Sequence, residues 1–135
     1  MTDKIAVAKF DGVSYINIMR VTIVKFLPWA VLLLIALATL SPIQLRPHSP
    51  APPQLERFAS FALLGASFAL AYRRQLLLVL ISLSATAFAL EAAQRLTPDR
   101  HWGVSDLLAK LAGAAVGVTI AWAIIKTRDM VRPQH

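Results

Sequence analysis

Four apolar blocks, each long enough to cross a bilayer, constrain this chain more than any other feature. They run from about Phe26 to Leu45, Leu55 to Tyr72, Leu76 to Gln94 and Asp106 to Ile125. As helices of about 18–20 residues they rise about 27–30 Å, close to the thickness of a hydrocarbon core. Helices also satisfy their own backbone groups where no water is present. The expected fold is therefore all-α: a four-helix transmembrane bundle with its N-terminus and C-terminus cytoplasmic. Composition supports this, because 57% of the 135 residues are hydrophobic and 16% charged. A soluble domain of this size has too little interior to bury so much apolar surface.

The joints set the domain organisation: an N-terminal arm over 1–25, a four-span domain over 26–125 and a basic tail over 126–135. Within the arm, Asp11-Gly12 suggests a break in a loose interfacial segment. Pro28 falls in the first turn of the first span, where a missing N–H costs least. Ala36-Leu37-Ala38 after an apolar run also resembles a signal-peptidase site. The long preceding segment and the three similar blocks that follow favour a retained span. Five prolines between Ser41 and Pro53 make a stiff connector. Arg73-Arg74-Gln75 is short enough to enforce an antiparallel hairpin.

Basic residues decide orientation. Lys4, Lys9, Arg20, Lys25, Arg73, Arg74, Lys126, Arg128 and Arg132 fall on one side, against Arg46, Arg57, Arg95 and Arg100 on the other. The positive-inside rule places the first set, with both termini, in the cytoplasm. The net charge of +7 is thereby explained by span edges, and no basic face suited to nucleic acid emerges. With no cysteine, thiol chemistry and disulfides are excluded.

In this topology the remaining polar residues converge on the outer face. Glu56 and Arg57 open the second span, Glu91, Gln94 and Arg95 close the third, and Asp106 and Lys110 begin the fourth. Charges at such depth are costly and are usually paired and functional. Ser84, Phe88, Glu91 and Arg95 are spaced to share one helical face, with Gln94 beside it. Asp106, Lys110, Gly113 and Gly117 step by four, three and four, aligning two charges with a GxxxG stripe that admits a close helix. Plainer roles exist for each: Asp106 can complement a helix dipole, Lys110 can snorkel, Glu91 can pair with Arg95, Glu56-Arg57 can mark the membrane edge, and Trp102 can anchor at the interface. His101 with Asp99 has no spacing that defines a metal site or a triad, and no cofactor is expected.

From about Leu55 to Gly117 the chain resembles the VanZ-like family of bacterial membrane proteins. The resemblance rests on Glu56-Arg57, Glu91-Ala92-Ala93-Gln94, Pro98-Asp99-Arg100, Asp106 with Lys110 four residues on, and Gly113 with Gly117. Ser60, Leu64 and Lys110 depart from the His, Tyr and Asn of many members. The resemblance implies a cell-envelope role, with the family's founding member associated with teicoplanin resistance.

The expected function is binding of an anionic envelope component, a membrane lipid or lipid-linked precursor. Arg57, Arg95, Arg100 and Lys110 would contact it, and Glu91, Gln94 and Asp106 would orient them. Two alternatives are an accessory subunit docking a membrane-protein partner through Gly113 and Gly117, and an enzyme on a lipid-linked substrate with Glu91 or Asp106 as base. A transporter is disfavoured, because interrupted helices and internal repeats are lacking.

Overall fold

A computed structural model describes residues 2–41, 50–96 and 103–131, with side chains from Ser14 onward. Among them the chain is all-helical, with α1 over Thr2–Leu40, α2 over Pro53–Ala71, α3 over Leu76–Arg95 and α4 over Val104–Val131. Leucine and alanine, which favour the helix, dominate all four. Hydroxyl side chains that would be orphaned in lipid bond back within their own helices. Ser67 Oγ donates to the Leu63 carbonyl at 2.7 Å and Thr119 Oγ1 to that of Ala115 at 2.8 Å. Three segments are long and apolar enough to cross a membrane: Ser14–Leu40, Leu76–Arg95 and Val104–Val131.

The boundaries differ from expectation at α1 and α4. No break occurs at Asp11-Gly12; the helix runs unbroken from Thr2 through the first span. One glycine costs a helix about 1 kcal/mol, too little to stop one that its neighbours favour. Pro28 consequently lies deep inside α1, where it leaves the Val24 carbonyl without an intrahelical donor. Its ring is fully buried. The fourth helix extends six residues past the expected Ile125, through Lys126 and Arg128 to Val131.

The helices alternate in direction. α2 and α4 run parallel and pack most closely, because glycines and alanines line both sides. A Cβ on Gly113 would collide with the Phe58 carbonyl, one on Gly117 with the Ala62 carbonyl, and one on Gly65 would lie 2.7 Å from the Ala114 oxygen. Ala69, Ala114 and Ala121 are fully buried beside Phe61 and Leu64. Small residues at a lipid-phase interface let dispersion act at short range. The glycine face expected to receive a protein partner packs here against α2 of the same chain.

α3 contributes Val79, Leu83, Ala87 and Leu90 to the core, and α1 lies outermost, touching it through Val31, Leu32 and Ile35. Ile16, Ile18, Ile23, Leu33 and Leu34 on α1 are all exposed. An apolar surface on all sides of a helix suits lipid as the surrounding solvent.

Candidate functional site

Alternating directions bring the start of α2, the end of α3 and the start of α4 together at one end of the bundle. Four charges meet there in a row of alternating sign. Arg57 Nε approaches Asp106 Oδ1 at 2.6 Å, Asp106 Oδ2 lies 3.2 Å from Lys110 Nζ, and Lys110 Nζ donates to Glu91 Oε2 at 2.6 Å. The row carries no net charge. Lys110 is 1% exposed and Glu91 3%, so their pairing replaces hydration that neither retains. Arg57 Nε lies near Asp106 Oδ1, yet that oxygen accepts no hydrogen bond, so the contact is Coulombic.

Asp106, Lys110, Gly113 and Gly117 are all buried, as their spacing along α4 predicts. Lys110 does not snorkel, because two carboxylates hold its ammonium inside. On α3 the geometry differs from expectation. Glu91 faces inward with Ala87 and Gln94, whereas Phe88, assigned to the same ridge, is 55% exposed. Glu91 therefore reaches across to α4. Gln94, one turn further on, is also buried, and its Nε2 has no acceptor among the described residues. Arg95 is exposed at the helix end. Arg100 lies outside the described residues, as do Asp99, His101 and Trp102.

Beside the row opens a cleft of about 340 Å³ between α1, α2 and α4. Its walls include Leu34, Ala38 and Thr39 of α1, and Glu56, Arg57 and Ser60 of α2, with Lys110 at its back. Of the expected contact residues that are described, Arg57 and Lys110 reach this cleft and Arg95 does not. Glu91 and Asp106 stand behind them as counter-ions. The α1 wall has no counterpart in the sequence reading, since no charged residue marks that span. Ser60, where the resemblance expects histidine, turns its hydroxyl onto the Glu56 carbonyl at 2.7 Å. Among the described residues no cluster of His, Asp and Glu suits a metal.

No family model, curated protein or solved structure matches the chain. The likeness to VanZ-like proteins therefore rests on the short motifs alone.

Proposed function

We propose that this is a four-span protein of the bacterial inner membrane that binds the anionic headgroup of a lipid or lipid-linked envelope component in the α1–α2–α4 cleft. The observation that carries this reading is Arg57, whose partly exposed guanidinium stands at the cleft while its Nε is held by Asp106. Anchoring one edge of the guanidinium leaves its outer nitrogens to meet phosphate or carboxylate in a fork. Lys110, already neutralised, adds positioning more than charge.

Four crossings are supported by α2 running parallel to α4 within the alternating bundle, although α2 is not among the three segments apolar enough to cross by composition. At 19 residues it rises about 28 Å. Cytoplasmic termini follow from the basic excess, and the envelope role from the VanZ-like motifs. Neither Glu91 nor Asp106 lines the cleft, which favours binding over acid–base chemistry.

Mass spectrometry of lipids retained by the purified protein tests this reading. A defined anionic lipid held by the unmodified protein should be lost from both Arg57→Gln and Ala38→Trp, the second of which fills the cleft without altering charge. An identical lipid complement in all three proteins would overturn it.

A further inference from the structure

At the opposite end of the bundle, a second groove joins two regions of contrasting chemistry. Its mouth, about 610 Å³, is bordered by Arg20 and Lys25 of α1 and by Arg73 and Arg74 of the α2–α3 turn. Among the described residues no carboxylate lines it, and the arginines are exposed. Asp129 shares a separate cleft with Lys126 on the far side of Arg73. Four cations gathered in one concavity repel one another and attract a phosphate.

Tyr72 and Gln75 border this mouth and also a slot of about 200 Å³ that continues between α1 and α3. The slot is walled mainly by Trp29, Leu32, Phe68, Val79 and Leu83, with Ser82 and Thr86 also on its α3 side, where the Thr86 hydroxyl bonds back to the Ser82 carbonyl. Its junction is ordered: Trp29 Nε1 donates to the Tyr72 hydroxyl at 3.2 Å, and the Trp29 ring meets Phe68 edge-on at 5.3 Å. Aromatic groups with one polar edge mark the boundary between headgroup and acyl depth. A free phosphate would use the mouth alone. A molecule with an anionic head and an apolar chain would use both regions.

We propose that this groove binds one anionic phospholipid, with its phosphodiester among Arg20, Lys25, Arg73 and Arg74 and an acyl chain laid along Trp29 and Leu83. The site is separate from the Arg57 cleft and does not depend on its assignment. Simple edge-marking by positive charge would give the mouth but no reason for an ordered apolar slot to open from it.

Trp29 reports on its own occupancy. The chain has three tryptophans, so Trp102→Phe with Trp122→Phe leaves Trp29 as the sole fluorophore. Full-length protein is reconstituted in phosphatidylcholine vesicles containing increasing fractions of phosphatidylglycerol or phosphatidylcholine brominated on the acyl chain. The phosphatidylglycerol should quench Trp29 at a much lower mole fraction. This preference should fall roughly fivefold per cation removed in Arg73→Gln/Arg74→Gln, and again in Arg20→Gln/Lys25→Gln on a different helix. Arg128→Gln removes an exposed cation that borders neither groove, and should leave the preference unchanged. Equal quenching by the two lipids in the protein with an intact groove would overturn the proposal, and that comparison needs no variant of the groove to fold. A preference surviving in both double variants, or abolished by millimolar inorganic phosphate, would overturn it as well.

Discussion

Lys110 is the residue on which the polar end depends, because it touches acids from two helices. Replacing it with Met leaves Glu91 buried without a cation, and removing one member of a buried pair costs about 3–5 kcal/mol. Thermal unfolding in detergent should show a marked drop in Tm for Lys110→Met. Adding Glu91→Gln should restore much of it, since the stranded charge is then gone. Gln94 should behave in the opposite sense. Its unpartnered donor carries a desolvation cost, so Gln94→Leu should raise stability by about 1 kcal/mol. The Asp106–Lys110 relation was legible in the sequence because both residues lie on one helix, where spacing fixes their face. The Lys110–Glu91 bond was not, since it depends on how α3 and α4 are aligned, which no local pattern encodes. Phe88 and Glu91 were grouped by a three-residue step, and the helix's rotation about its axis separates them.

At the scale of elements, block length and apolarity were sufficient to read four helices, and the short Arg73-Arg74-Gln75 segment to read the tight joint between α2 and α3. They could not fix where α1 and α4 end, because helices continue beyond the membrane edge when nothing in the sequence stops them. The contact between α2 and α4 makes a sharp demand on side-chain size. Gly117→Val would push a branched side chain into the Ala62 carbonyl, and overpacking of this kind costs about 1–3 kcal/mol or more. Size-exclusion chromatography should show loss of the monodisperse protein, whereas Thr119→Val, exposed on the same helix, should leave it intact. Direction can be read chemically, because the chain has no cysteine to interfere. A cysteine at Ser14 or Gln75 should be protected from an impermeant thiol reagent in intact cells, and one at Gln54 should be labelled. Labelling at Gln75 but not Gln54 would reverse the proposed orientation.

For the molecule as a whole, charge is divided between a neutral, buried row at one end and an uncompensated, exposed cluster at the other. Salt screens exposed charges far more than buried ones. Raising ionic strength should therefore leave the unfolding temperature contributed by Lys110 and Glu91 nearly unchanged, while the headgroup preference reported by Trp29 declines. The small-residue stripe has one more consequence. Gly113, Gly117 and Ala121 recur every four residues, so smooth sides alone would let α4 slide along α2 by a helical turn of about 5.4 Å. Sliding one way would drive the Ala121 methyl into the Ala62 carbonyl, and sliding the other way would drive that of Ala109 into Phe58. Either shift would also carry Lys110 away from Glu91. Steric teeth and a polar latch thus index the same position, giving two surfaces suited to gliding a single depth at which they stop.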